Sequence, residues 1–199
     1  MRVSRALAVL ALTGVASFSA AQSAEWRTVY QEIAGRACSD TNPRPARPRG
    51  DHEATRRICP AYLGFKVVIE EFPNRHELRI TQQAQAGKSA TLGFLSGLGP
   101  RIEWLGPARG ATIMPRALIV RIGAADIGDE KSSLLAVMKV ASQEACLVGV
   151  LDVRTNPDAN EVARREAKKR AESFRCDSDP IDVLGERSEL AEAFVDRLR

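Results

Sequence analysis

Two apolar runs separated by three polar residues constrain this chain more than any other feature. Leu134–Ala141 and Ala145–Val153 flank Ser142-Gln143-Glu144, a pattern that predicts two strands joined by a turn. Asn156-Pro157 follows and predicts a helix start, with asparagine as cap and proline in the first turn, where no donor is needed. The helix then runs toward Cys176. Ala159, Val162, Ala163, Ala167 and Phe174 give it a narrow stripe of mostly small residues, suited to close approach to a sheet. Its other face carries Glu161/Arg165, Glu166/Arg170 and Lys168/Glu172, each pair spaced four apart. A cysteine stands at each end of the unit, Cys146 on the second strand and Cys176 beyond the helix, so one disulfide would staple strand to helix.

The N-terminus predicts the compartment. Arg2 and Arg5 precede the apolar run Ala6–Leu12, and small residues lead to Ala21-Gln22-Ser23, the layout of a cleaved secretory leader at residues 1–21. Periplasmic or secreted localisation is therefore expected. Cleavage would remove two of the 29 Lys and Arg residues, so the formal charge of +4 overstates how basic the exported chain is. No nucleic-acid partner is implied, and no later segment is apolar enough to cross a membrane as a helix. Four cysteines in an exported chain predict two disulfides. Three connectivities are open; Cys38–Cys59 with Cys146–Cys176 is favoured because each pair brackets one local unit. Zinc is the rival for these thiols, but the spacing contains no C-x-x-C, and neither a metal nor a cofactor is expected.

Residues 22–199 are expected to form one α+β domain. Trp26, Val29, Tyr30, Ile33 and Ala37 recur at three- and four-residue intervals and predict an amphipathic helix ending near Cys38. A Pro/Arg-rich loop is expected over 42–58, since Pro43, Pro45 and Pro48 disfavour both helix and ladder. Strands are predicted at Gly64–Phe72 and His76–Gln83 around the turn Pro73-Asn74-Arg75, at Ala90–Leu95, at Arg101–Leu105 and at Pro115–Gly123. Residues 177–187 read as a linker to a last helix, capped by Ser188, with Leu190, Ala191, Phe194, Val195 and Leu198 inward. These elements amount to about seven strands in a mostly antiparallel sheet, with helices at the N- and C-terminal ends and two disulfide staples.

Three pieces carry a resemblance: Ala117-Leu118-Ile119-Val120-Arg121, Ala145-Cys146-Leu147-Val148-Gly149 and Ala159-Asn160-Glu161-Val162-Ala163-Arg164, with Phe174-Arg175-Cys176 after them. Over about residues 62–176 the chain resembles small exported (periplasmic) proteins of alphaproteobacteria that carry no assigned activity. The resemblance implies an exported single domain and supplies no catalytic residue.

Reaction chemistry is sparse. His52 and His76 lack both metal-ligand spacing and a partnered nucleophile. Gly87-Lys88-Ser89 ends like a phosphate loop, yet Gln82 stands where its first glycine belongs and a strand follows. Gly93-Phe94-Leu95-Ser96-Gly97 puts its serine one place too late for a nucleophile elbow. Glu70 and Glu71 are neighbours on a strand and so point to opposite faces. Asp126, Asp129 and Glu130 share a loop without calcium-loop spacing.

Positive charge is the most distinctive surface feature. Arg44, Arg47, Arg49, Arg56 and Arg57 form one cluster and Arg164, Arg165, Lys168, Lys169 and Arg170 a second. The first is the candidate binding site for an anionic cell-envelope polymer or another envelope protein. The expectation is thus a non-catalytic exported domain binding an envelope component or protein partner. The alternatives are a periplasmic hydrolase built from scattered acids and His76, or a structural or inhibitory module.

Overall fold

The computed structural model describes residues 24–44, 54–60, 62–73, 75–82, 90–124, 131–141 and 144–198; the expected leader lies outside them. In chain order the strands are β1 (Trp26–Glu32), β2 (Ser39–Arg44), β3 (Ala54–Ile58), β4 (Phe65–Phe72), β5 (Arg75–Gln82), β6 (Ala90–Leu95) and β7 (Gly97–Arg109). Then come β8 (Thr112–Ile113), β9 (Ala117–Gly123), β10 (Ser133–Val140), β11 (Ala145–Asp152), helix α1 (Ala159–Arg170), β12 (Asp182–Val183) and helix α2 (Glu189–Leu198).

Strand alternation sorts these residues into two cores. A five-stranded outer sheet, ordered β2-β3-β4-β5-β6, turns Phe65, Val67, Ile69, Leu78 and Ile80 inward. A seven-stranded central sheet runs β1-β7-β9-β10-β11-β12, with β8 paired to β7. One of its faces presents Trp104, Leu118, Val120, Ile122, Leu134 and Met138 to the outer sheet. The opposite face presents Leu105, Ala117, Ile119, Leu135, Val137 and Val148 to Ala159, Ala163 and Ala167 of α1. Strands β9, β10 and β11 are buried on both faces, which is why they read as nearly unbroken apolar runs. Helix α2 places Leu190, Ala191, Phe194 and Val195 in the same core as the outer sheet, alongside β11 and β12. The result is a sandwich of two sheets with a helix layer on the far side of the central one.

The mostly antiparallel β architecture agrees with the sequence, and so do the hairpins β4–β5 and β10–β11. Both favoured disulfides are present, Cys38–Cys59 and Cys146–Cys176. The first crosses the β2–β3 pair just beyond the Ser39–Ile58 register, and the second ties β11 to the turn after α1. Ser188 caps α2, its Oγ accepting from the Ala191 N–H at 3.2 Å.

Several expectations need correction. There are two sheets rather than one of about seven strands, and the central sheet is mixed, because β12 runs parallel to β11. Among the described residues both α-helices lie at the C-terminal end: Trp26–Glu32 is a strand, followed by a single 3-10 turn at Gly35–Ala37. The helical spacing misled because the polar residues of β1 are partners of buried groups. Gln31 Oε1 accepts from the buried Trp104 indole at 2.9 Å, and the Thr28 hydroxyl bonds Glu103 at 3.2 Å. The expected 42–58 loop contains the end of β2 and all of β3; β2 is an edge strand and its register shifts at Pro43, so the missing N–H breaks no ladder bond. The strand expected at Arg101–Leu105 is longer, since β7 spans the thirteen residues Gly97–Arg109. Finally, the 177–187 linker supplies β12, and Asn156 caps nothing. Its buried amide donates to Asp152 O at 2.8 Å and accepts from the Glu186 N–H at 2.9 Å, clasping the loop before α1 to the segment after β12.

Candidate functional site

Two neighbouring strands and one helix build a groove on the α1 side of the central sheet. Because β1 and β7 pair in antiparallel register, Thr28, Tyr30, Glu103 and Leu105 come to one face of the sheet. On α1, Glu161, Arg164, Arg165 and Lys168 lie three, four and seven residues apart, hence on one stripe, and that stripe faces the start of β1. Trp26, Arg27, Thr28 and Leu105 complete the walls of a cavity of about 340 Å³.

Arg164 organises it. Glu103 is 7% exposed and stands between the large apolar residues Ile102 and Trp104. Arg164 donates to it through Nε at 2.5 Å and Nη2 at 3.3 Å, and the Thr28 hydroxyl donates as well. The same guanidinium donates to Glu161 at 2.7 Å and to the Tyr30 hydroxyl at 2.9 Å. Its pKa is raised further above the ordinary arginine value, chiefly by the hydrogen bond to Glu103. Arg164 is therefore a strut between helix and sheet, and its charge is spent on Glu103 and Glu161.

The remaining cations of the groove are freer. Arg165 is 64% exposed with its nearest carboxylate, Glu166, at 3.8 Å. Lys168 is exposed and makes no ion pair among the described residues. Among the described residues Arg27 pairs with Glu25 alone, and both are solvent-facing. A half-buried tryptophan beside two available cations can hold an anionic group that carries an apolar or planar portion.

Of the first basic cluster, the structure describes the side chains of Arg56 and Arg57 alone. Arg47 and Arg49 lie outside the described residues, as does the side chain of Arg44. Arg56 and Arg57 are adjacent on β3 and so diverge: Arg56 lies 3.6 Å from Glu70, whereas Arg57 pairs with Glu71 and donates to Ile33 O at 3.1 Å. Glu70 and Glu71 separate onto opposite faces, as their adjacency predicts. His76 stands 3.8 Å from Glu71, within that ion-pair cluster. In the second cluster Arg170 is committed to Glu166 at 2.9 Å and Asp182 at 3.0 Å, leaving Arg165 and Lys168 as its groove-facing part. His52, Asp126, Asp129 and Glu130 lie outside the described residues. Among the described residues no three His, Cys, Asp or Glu side chains converge as a metal site, and no helix is long and apolar enough to cross a membrane.

The sequence did contain one sign of this site: Glu103, a lone acid inside an apolar strand, must find a buried cation. Which cation it finds depends on α1 crossing the sheet at that point. No family model, curated protein or solved structure matches the chain.

Proposed function

We propose that the protein is a non-catalytic exported domain that binds an anionic cell-envelope component or protein partner in the groove between β1 and α1. One observation carries this: beside Trp26, Lys168 makes no ion pair among the described residues and the exposed Arg165 has Glu166 only at 3.8 Å, while the neighbouring Arg164 is locked in place by a buried acid. The groove replaces the Pro/Arg segment as the favoured site, because Arg56 and Arg57 already have carboxylate partners. Export is supported by the leader-like N-terminus and by two disulfides that need an oxidising compartment to persist.

The test uses the oxidised protein and poly-glutamate as a generic polyanion at low salt. Binding should weaken with added salt and fall roughly fivefold when Arg165 and Lys168 are both replaced by serine, the loss expected for two exposed charge contacts. Unchanged binding in that double variant overturns the groove. Export is tested by N-terminal sequencing of protein recovered outside the cytoplasm, which should begin at Gln22.

A further inference from the structure

Sheet edges are the places where a second chain can add a strand, and folds protect the edges they do not use. Three of the four described edges here are blunted. β2 carries Pro43 at a register shift, β5–β6 pairing is interrupted by a shift between His76 and Leu78, and β12 is two residues long. β1 is different. It runs seven residues in unbroken register with β7, contains no proline, and has no strand on its other side among the described residues.

The ladder fixes which backbone groups face outward. The Ala108 N–H donates to Glu25 O and the Ile33 N–H to Pro100 O, each at 2.8 Å. Antiparallel bonding alternates, so Arg27, Val29 and Gln31 bond β7, while Trp26, Thr28, Tyr30 and Glu32 direct their N–H and C=O groups away from it. Tyr30, at the middle of this edge, is half exposed, which offers an added strand an aromatic cross-strand neighbour. The groove with Arg165 and Lys168 opens beside the same edge.

We propose that β1 takes up an extended acidic segment of a partner protein as an added antiparallel or parallel strand, its alternate carboxylates reaching Arg165 and Lys168. A second copy of this chain fits less well. Pairing β1 with its own copy would bring two basic α1 stripes to the same side of one continuous sheet, where like charges oppose each other. The proposal deepens the groove reading and rests on it, but fails separately from it.

The experiment is amide hydrogen exchange by NMR on the oxidised protein, alone and with a short synthetic peptide alternating glutamate with valine or threonine. In the free protein the Thr28 and Tyr30 amides should exchange much faster than those of Arg27, Val29 and Gln31; saturating peptide should slow Thr28 and Tyr30 by about tenfold or more. Thr28→Pro removes one outward donor without touching the β7 ladder and should weaken peptide binding about three- to tenfold. Thr28→Ala loses the same hydroxyl, which Thr28 gives to Glu103, but keeps the N–H, so it should bind the peptide more tightly than Thr28→Pro, and the difference between the two variants reads the backbone donor alone. Strand addition is overturned if the peptide does not bind, binds without slowing these amides, or binds the proline variant equally well. It is also overturned if the amides are already slow in the free protein; where that slowness depends on protein concentration, self-pairing takes its place. In each case retained poly-glutamate binding that still depends on Arg165 and Lys168 leaves the groove standing and rejects the added strand alone.

Discussion

Replacing Arg164 with alanine should cost more stability than replacing its partner Glu103, and the asymmetry follows from where each charge is left. Without Arg164, Glu103, which is 7% exposed in the native protein, keeps the Thr28 hydroxyl as a donor and no cation. Stranding a buried charge costs about 3–5 kcal/mol; the vacated side chain opens a path for water, so the lower end, about 3 kcal/mol, is expected. Without Glu103, Arg164 keeps Glu161 and Tyr30 and is 30% exposed, so about 1–2 kcal/mol is expected. The double variant should cost less than the sum of the two by about 1–2 kcal/mol, since neither charge is then stranded. Urea unfolding followed by circular dichroism, with both disulfides intact, measures all three. Equal losses for the two single variants, or a loss below about 1 kcal/mol for Arg164→Ala, would refute the strut.

Three further outcomes follow from the packing and the charges. Gly149→Ala should destabilise by about 1–3 kcal/mol, because an added Cβ would lie 2.5 Å from the Asp182 carbonyl oxygen and 2.8 Å from Leu184 and would force β12 away from β11; thermal melts of the variant measure it. Removing either disulfide by paired Cys→Ser substitution should cost about 3–4 kcal/mol in the loop-entropy model for separations of 21 and 30 residues, read from urea midpoints of the oxidised variants. Asp179 should titrate below the usual carboxylate range, because the Arg175 side chain and backbone N–H both donate to it. A carboxyl with a lowered folded pKa contributes stability that is present above its unfolded value and lost as pH falls through the folded one. Carboxyl-carbon NMR should follow this and should show Asp179 titrating higher in Arg175→Ala.

How much of the fold could be read beforehand depended on how local its cause was. β4, β5, β6, β9, β10 and β11 were legible because burial writes itself into alternating or continuous apolar residues. The Ser188 cap and the Glu166–Arg170 pair were legible because both partners lie within four residues. β1 was not, because the roles of Thr28 and Gln31 are set by Glu103 and Trp104, more than seventy residues away. Asn156 carries the residue type of a cap, and only the return of the chain at Glu186 gives its amide a different task.

The candidate site divides in the same way. The stripe Glu161, Arg164, Arg165, Lys168 is a property of helical spacing, so sequence alone placed these charges together and determined the small-residue face opposite them. Sequence also determined the cysteine count and the leader-like N-terminus. The crossing of α1 over β7, beside an edge strand, was decided only by tertiary structure. That crossing neutralises Arg164 against a buried acid and leaves Arg165 and Lys168 facing Trp26. Charge is carried by single residues and can be counted along the chain. Whether it is available to a ligand depends on which opposite charge the fold brings within hydrogen-bonding distance, and no local pattern encodes that.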